Sequence, residues 1–328
     1  ERLVFSPTRL RATFPRYDTV RRFDIGRAEP RSRNRGRQRV GISATLSRVA
    51  RVAIVGLVVA SGVAIAQPAS ASGPPPPAAG LIGTWTNAGA VSGIALVKLV
   101  IRSDGAGGIK VDTFGTCGAR PVCEYGSVQA VVYGPTADAT SGAFFQTNQV
   151  FPSYNKVLLG HLISTAAGPR ITLERYIAWT DHSRRNSTIG YQFKPVSVST
   201  AGVTKTGTAT TAFPAAFQAM PADSLIGVWH NTSASTRAIA ELDISRAGDG
   251  SLIVHAFGAC TPALCDIGSF PGITYGPNSS SATGARFLAP NDAGFKRELY
   301  VGKVLAGGNL SVDYYSEFTD SSGRSNYS

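Results

Sequence analysis

From residue 81 onward, apolar and polar side chains alternate with a period of two over many short stretches. This alternation is typical of β-strands that bury one face, whereas an amphipathic helix repeats every three to four residues. One run has Leu310, Val312, Tyr314 and Phe318 on one face and Ser311, Asp313, Tyr315 and Glu317 on the other. Turn residues such as Asp104-Gly105 and Asp249-Gly250 separate the runs. The pattern predicts an all-β protein.

The chain also repeats itself. Residues 81–87 recur as 225–231, and both copies contain Gly-x-Trp-x-Asn. Further matches follow in the same order: 114–117 with 257–260, 133–135 with 275–277, 142–145 with 284–287, and 180–185 with 319–324. Each copy has the length of a self-contained domain. We therefore expect repeat 1 at 81–195 and repeat 2 at 225–328. A Pro-rich linker, 72–80, precedes them, and a Thr/Ala-rich linker, 196–224, couples them weakly.

Repeat 2 contains eight strand-like runs, near 226–231, 237–245, 251–258, 267–275, 284–289, 296–305, 309–318 and from 324 onward. Short links between them predict an antiparallel meander. Eight strands can close into a barrel, which removes the exposed edges of an open sheet. We expect two tandem eight-stranded barrels, with β-sandwiches as the alternative. The last run is short, so repeat 2 is expected to be truncated at its C-terminal end.

The net charge of +12 lies mainly before the repeats. Residues 1–71 hold fourteen of the 32 basic residues and four of the 20 acidic ones, so the repeats are nearly neutral. This argues against nucleic acid as a partner of the folded part. The uncharged run 52–66 follows Arg48 and Arg51 and precedes Ala69-Ser70-Ala71.

That order predicts a signal peptide at 40–71 and a secreted bacterial protein, with no membrane span after cleavage. A membrane anchor is the alternative. Residues 1–39 are expected to be a non-native or disordered Arg-rich extension. A basic tail that binds nucleic acid is the alternative for that segment.

Four cysteines occupy matching places in the repeats, as Cys117-x5-Cys123 and Cys260-x4-Cys265. In an exported protein this spacing predicts one local disulfide per repeat, between the third and fourth strands. A zinc site would need further ligands, and His255 is the only histidine near either pair in sequence.

The Gly-x-Trp at the first strand, followed by Asn two residues later, resembles the start of calycin barrels, the lipocalin and avidin group. The resemblance implies that Trp85 and Trp229 close the floor of each barrel. In avidins, an Asn at this spacing helps to bind the ureido group of biotin, which makes Asn87 and Asn231 candidate ligand-binding residues. The tryptophan cluster of the avidin pocket is missing, since Trp179 is the only other tryptophan. The alternative for both Asn residues is a bond to their own turn.

Other candidate binding residues carry charge or a hydroxyl group. Arg185 and Arg324 each end an Asp-x-Ser-x-Arg motif, which forms either a donor set for an anionic or sugar ligand or a capped turn. Arg175 lies in register with apolar Leu173 and Ile177, where repeat 2 has Tyr314. A charge on a buried face is costly unless it is paired. Arg175 therefore marks either an interior polar contact or a break in the alternation.

The HExxH, GxSxG and P-loop signatures are absent from the sequence, and the four histidines occupy unmatched positions in the repeats. We therefore expect a monomeric, non-catalytic binding protein without cofactor or metal. Its ligand would be a small molecule or glycan bound at one end of each barrel. A structural or protein-interaction module with filled barrels is the alternative, and a secreted enzyme is a third hypothesis.

Overall fold

The computed structural model describes residues 2–7, 78–89, 95–117, 120–196 and 222–328. Within these ranges the secondary structure is all β, in sixteen strands that form two closed antiparallel barrels of eight. This confirms the predicted fold class, and the sandwich alternative was wrong. The predicted signal peptide and most of both linkers lie outside the described residues. In the described part of the chain, no helix is long and apolar enough to cross a membrane.

Barrel 1 is a meander in which each strand pairs with its neighbours in sequence and the last pairs with the first. Its strands are β2 (Gly83–Asn87), β3 (Leu96–Ser103), β4 (Ile109–Cys117), β5 (Arg120–Tyr133), β6 (Phe144–Val150), β7 (Tyr154–Thr165), β8 (Gly168–Trp179) and β9 (Ser187–Pro195).

Barrel 2 follows the same plan with one change of connectivity. Seven of its strands are consecutive: β10 (Gly227–Asn231), β11 (Ile239–Arg246), β12 (Leu252–Gly258), β13 (Cys265–Tyr275), β14 (Arg286–Asp292), β15 (Lys296–Val304) and β16 (Leu310–Phe318). The eighth is β1 (Arg2–Pro7), which pairs with β10 on one side and β16 on the other.

β1 stands where barrel 1 has its own last strand. Phe5 faces Leu310 and Asn231, just as Phe193 of β9 faces Ile171 and Asn87. This differs from the expectation that residues 1–39 are an extension outside the fold, and cleavage of the predicted signal peptide at 40–71 would remove β1 from the chain. β1 also replaces the strand expected from residue 324 onward, where Tyr327 makes only isolated bridges.

One end of each barrel is closed by a turn that precedes its first strand. In barrel 1, Ala78 and Leu81 are buried in the core, and the Nε1–H of Trp85 donates a hydrogen bond to the Leu81 carbonyl at 2.9 Å. Trp229 makes the same 2.9 Å bond to Leu225 in barrel 2. Both tryptophans are buried in the barrel interior beside the closing turn.

The two barrels share a buried apolar interface, which the sequence analysis did not foresee. Outward-facing residues of both barrels form one core cluster, which includes Tyr133, Val157, Tyr176, Tyr275, Leu299 and Tyr315. Two edge-to-face tyrosine pairs cross it, Tyr133 with Tyr315 at 5.2 Å and Tyr176 with Tyr275 at 5.0 Å between ring centroids. Because Tyr133 matches Tyr275 and Tyr176 matches Tyr315 in the repeat, the interface has pseudo-two-fold symmetry. The expected weak coupling through linker 196–224 was therefore wrong.

Backbone hydrogen bonds reinforce this interface in the same symmetric way. The N–H of Gly276 donates to the Asn186 carbonyl at 3.1 Å, and the N–H of Gly134 donates to the Asn326 carbonyl at 2.8 Å. The return bonds run from the N–H of Thr188 to Gly276 and from that of Ser328 to Gly134. In each barrel, the segment that follows the Asp-x-Ser-x-Arg motif therefore forms backbone hydrogen bonds with the other barrel.

The disulfides Cys117–Cys123 and Cys260–Cys265 are both formed, one per barrel, between the third and fourth strands. The predicted pairing is confirmed, and all four cysteines of the chain are used.

Candidate functional site

Barrel 1 has two unlike ends. We call the end closed by residues 78–82 the floor and the opposite end, where β2 finishes at Asn87, the rim. Because the strands are antiparallel, the rim also carries the ends of β4 and β8 at Cys117 and Trp179. Buried apolar side chains fill the interior near the floor. The interior near the rim is polar.

Two basic side chains point into the rim half of barrel 1. Lys156 lies two residues from Leu158 on β7, and Arg175 lies two residues from Leu173 on β8; both leucines belong to the interior core. Side chains two apart on a strand share a face, so both cations face inward. Only 4% of Lys156 and 6% of Arg175 are solvent-exposed. The two residues lie diagonally across adjacent strands, because Lys156 faces Ile177 and Leu158 faces Arg175.

Lys156 makes no ion pair within the described part of the chain. Its Nζ lies instead 5.5 Å from the ring centroid of Tyr125 and 5.3 Å from that of Phe151. Burial, and to a smaller extent the neighbouring Arg175 charge, lower the pKa of Lys156 to about 7. A lysine without a counter-charge in this position is poised to take up an anion.

Polar groups without partners surround the two cations. Thr113, Thr147 and Gln149 share the interior faces of their strands with core residues. The hydroxyl groups of Thr113 and Thr147 and the Oε1 of Gln149 are buried and find no hydrogen-bond partner among the described residues. Gln149 faces Lys156 directly across the strand pair. Buried polar groups normally have partners, so these three groups are available to bind a ligand or water.

A cavity of about 690 Å³ lies beside β2, β8 and β9 of barrel 1, and its wall includes Asn87, Leu173, Glu174 and Tyr191 but neither Lys156 nor Arg175. The ring of Tyr191 also lies under the Arg175 guanidinium, at 5.4 Å from its centroid. Tyr191 therefore joins the cavity wall to the cation pair.

Barrel 2 neutralises the matching positions. Glu298 stands in place of Lys156 and forms an ion pair with Lys296. Tyr314 stands in place of Arg175 and donates its hydroxyl hydrogen to Glu298, while it accepts a hydrogen bond from the Lys296 Nζ at 3.1 Å. Burial first, and then the Glu298 charge, keep the pKa of Tyr314 far above its ordinary value, so it remains a donor.

Aromatic rings also fill the interior of barrel 2. Phe270, Tyr300 and Tyr314 form a cluster in which the Phe270–Tyr300 pair is tilted and the Tyr300–Tyr314 pair is edge-to-face, with centroid separations of 4.8 and 5.2 Å. In barrel 1 the first two of these positions hold Val128 and Leu158. The hydroxyl-bearing Thr113 and Thr147 are replaced by Ala256 and Ala289. Barrel 2 is thus packed where barrel 1 is polar.

The structure places the predicted asparagines in structural roles. The amide of Asn87 donates to the Leu96 carbonyl at 2.8 Å and accepts from the N–H of Gly89 at 2.9 Å. Asn231 repeats both bonds with Ile239 and Ser233. Both side chains therefore hold the connection to the next strand, which is the alternative that the sequence analysis left open.

The Asp-x-Ser-x-Arg motifs also form turns. Arg324 pairs with Asp320 at 3.0 Å and lies 4.0 Å above the Phe318 ring, while Asp320 accepts hydrogen bonds from Ser322. In barrel 1, Arg184, not Arg185, covers the aromatic ring, at 4.9 Å from Trp179. The backbone N–H of Arg185 instead reaches the Ser279 carbonyl of barrel 2. The geometry does not bring either arginine of the predicted pair to the interior cations.

Of the predicted ligand-binding residues, Arg175 and Tyr314 line the barrel interiors away from the strand ends, whereas Asn87 and Asn231 lie at the ends of β2 and β10. Lys156, Glu298 and Gln149 were missed. The signal was present, because Lys156 and Glu298 lie in register with apolar Leu158 and Tyr300 on otherwise buried faces. The same alternation had identified Arg175.

The fold and the site define an all-β protein of two paired, disulfide-clipped barrels, one with a cationic interior and one with a packed interior. Comparison with protein-family models, with curated proteins and with solved structures found no match. Among the described residues, no group of three or more His, Cys, Asp or Glu side chains could hold a metal ion.

Proposed function

We propose that this chain is an extracellular, non-catalytic binding protein whose barrel 1 takes up a small molecule bearing an acidic group. The ligand enters at the rim and places its acidic group between Lys156 and Arg175. Barrel 2 supports barrel 1 and holds no ligand. The disulfides support an extracellular location, because such bonds persist in oxidising compartments.

The observation that carries this proposal is the pair of buried interior cations. Burying a charge is unfavourable unless another charge or a set of hydrogen bonds compensates it. The ion pairs of the described residues include none for Lys156, while Glu298 of barrel 2 has its Lys296. A carboxylate or phosphate would supply the missing negative charge and accept charge-assisted hydrogen bonds from Lys and Arg.

Aromatic rings suit the rest of such a ligand. Tyr125 and Phe151 flank Lys156, and Tyr191 lines both the cavity and the Arg175 contact. Ring faces pack well against the apolar face of a sugar or a short carbon chain. An eight-stranded barrel has space for one small ligand. Sugar acids and small carboxylic acids are therefore the classes to test first.

Barrel 2 favours the second candidate function, a filled structural module. Its aromatic cluster and its Glu298 network leave the interior packed and neutralised. We assign this role to barrel 2 and ligand binding to barrel 1.

Calorimetric titration of the full chain with sugar acids, aliphatic carboxylates and phosphate monoesters tests the proposal. The neutral controls are the amide of each carboxylic acid and the parent alcohol of each phosphate monoester. We expect at least one acid to bind and its neutral control not to bind. Lys156→Met should weaken binding about tenfold or more, the equivalent of one lost charged hydrogen bond. Lys98→Met is the matched control, because Lys98 lies on the outer face over the Phe114 ring. Absence of binding by every acid, or equal binding by Lys156→Met, would overturn the proposal.

A further inference from the structure

The last strand of barrel 2, β1, is not adjacent in sequence to either of the strands with which it pairs. β1 lies between β10 and β16, yet Val4 and its partner Thr232 are 228 residues apart in the chain. In barrel 1, β9 follows β8 directly. The slot between β10 and β16 is therefore filled by a strand that is distant from both of them in the sequence.

β1 is held in the slot by buried side chains, backbone hydrogen bonds and an ion pair. Leu3 and Phe5 point into the barrel core, where Phe5 is fully buried. The Val4 carbonyl accepts hydrogen bonds from the N–H of Thr232 at 2.7 Å and from its hydroxyl at 3.0 Å. Arg2 forms a two-pronged ion pair with Asp313, at 2.8 and 3.3 Å. Backbone pairing supplies affinity, and alternate side chains supply specificity.

The same order of side chains occurs on β9, the matching strand of barrel 1. Pro7 faces Trp229 at the end of β1, as Pro195 faces Trp85 at the end of β9. Each strand thus has an apolar residue, then Phe, then Pro at every second position, with Leu3 matching Tyr191. A proline there ends the strand without removing an interior ladder bond.

We propose that the slot between β10 and β16 is a strand-acceptor site and that, in a chain that keeps residues 1–71, it accepts the Arg2–Pro7 strand of a second copy as well as its own. The exchanged and unexchanged arrangements make the same contacts within the barrel. The balance between them depends on chain concentration and on how the strand is tethered, as in domain swapping. The partner is therefore another molecule of the same protein, joined by β1.

Engineered disulfides test this exchange. Ser6 faces His230 across β1 and β10, and neither side chain is buried. One full chain carries Ser6→Cys, and a second carries His230→Cys. The two are refolded together at increasing concentration and oxidised. We expect a disulfide-linked heterodimer whose share rises with concentration. A chain with both substitutions should cross-link within itself, which checks the geometry.

The matched control uses the same place in barrel 1. Thr86 corresponds to His230 but faces Lys194 of β9, which its own barrel supplies. Ser6→Cys mixed with Thr86→Cys should give no heterodimer above background. The proposal is wrong if the His230→Cys mixture gives no more heterodimer than this control. It is also wrong if the doubly substituted chain does not cross-link.

A second measurement does not depend on cysteine variants. The wild-type chain is refolded with a fluorescent peptide of residues 1–7, and retained peptide is quantified by gel filtration. The peptide should be retained. A peptide with Phe5→Asp should bind about 10- to 100-fold more weakly, since it lacks the buried ring. Equal retention of both peptides, or of neither, would contradict the acceptor site.

Discussion

Lys156 in barrel 1 and Glu298 in barrel 2 occupy the same position of the repeat, but an ion pair neutralises only the charge of Glu298. Glu298 lies within a closed network with Lys296, Tyr314 and Asn291. Lys156 lies beside another cation, Arg175, and among unpartnered hydroxyl groups. The strand order of the two barrels is nevertheless the same apart from the origin of one strand.

This difference shows that the barrel backbone does not decide whether the interior is packed or cationic. The inward positions decide it, because only alternate residues of each strand face the interior. Stability favours the arrangement of barrel 2. Burial of the Lys156 charge in barrel 1 opposes stability, which is the pattern expected if the residue serves the proposed binding.

The largest effect is expected from the buried tryptophans. Trp229→Ala should cost about 3–5 kcal/mol, a large share of the roughly 5–15 kcal/mol that stabilises a domain. Unfolding of barrel 2 also exposes Tyr133 and Tyr176 of barrel 1, so both barrels should melt at lower temperature. Trp85→Ala should act in the same way from the other side. Scanning calorimetry measures this, with exposed Ile82→Ala as the control within about 0.5 kcal/mol of wild type. Unchanged melting in both tryptophan variants would contradict their interior placement.

Substitutions at the matched interior positions should change stability with opposite signs. Glu298→Leu breaks a buried ion pair and removes the acceptor of the Tyr314 hydroxyl, so it should cost about 3 kcal/mol. Lys156→Met removes a buried charge and should stabilise the ligand-free protein by about 1 kcal/mol. Urea unfolding of both variants measures the two changes. A loss of stability in Lys156→Met would mean that the lysine has a structural role, and would count against the contrast between the barrels.

The third effect is a pH dependence confined to barrel 1. The pKa of Lys156 is lowered to about 7 in the folded protein from its ordinary 10.5. Between these values the unfolded chain binds more protons, so the free energy of unfolding should rise with pH, by up to about 1.4 kcal/mol per unit. The effect is absent below pH 7, where both states are protonated. Binding of the acidic ligand should weaken over the same pH range, because it requires charged Lys156.

Urea unfolding from pH 7 to pH 9 isolates this effect as the difference between wild type and Lys156→Met, since other groups titrate alike in both. Parallel pH profiles for the two proteins would show that Lys156 does not titrate in this range.

Much of the fold follows from the sequence, because barrel strands carry strong local signals. Period-two alternation indicated seven of the eight strands of barrel 2 within a few residues, and matched cysteines indicated the disulfides. β1 could not be predicted, since six residues far from their partners carry no local sign of where they pair. The interface was hidden for a related reason. Outward residues such as Leu159 and Tyr315 simply weaken the alternation until the partner surface is known.

The site was predicted in part. Arg175 stood out because it interrupts an apolar face, and Lys156 interrupts its own face in the same way. Asn87 and the Asp-x-Ser-x-Arg motifs were emphasised because they repeat, yet the structure uses them for turns and for the contact between barrels. Features shared by both repeats mark the scaffold here, and the positions that differ between them carry the candidate chemistry.

The pseudo-two-fold interface has an evolutionary consequence. Two identical single-barrel chains would form such a surface as a homodimer. The arrangement of the two barrels is therefore the one expected if a gene for a single barrel was duplicated and the two copies became fused. In a homodimer every inherited substitution is present twice, and a costly pair of buried cations would weaken both halves. After fusion each half inherits its own changes. One barrel could then lose stability in favour of a receptive interior while its twin, held against it by Tyr133, Tyr176, Tyr275 and Tyr315, retained a packed one.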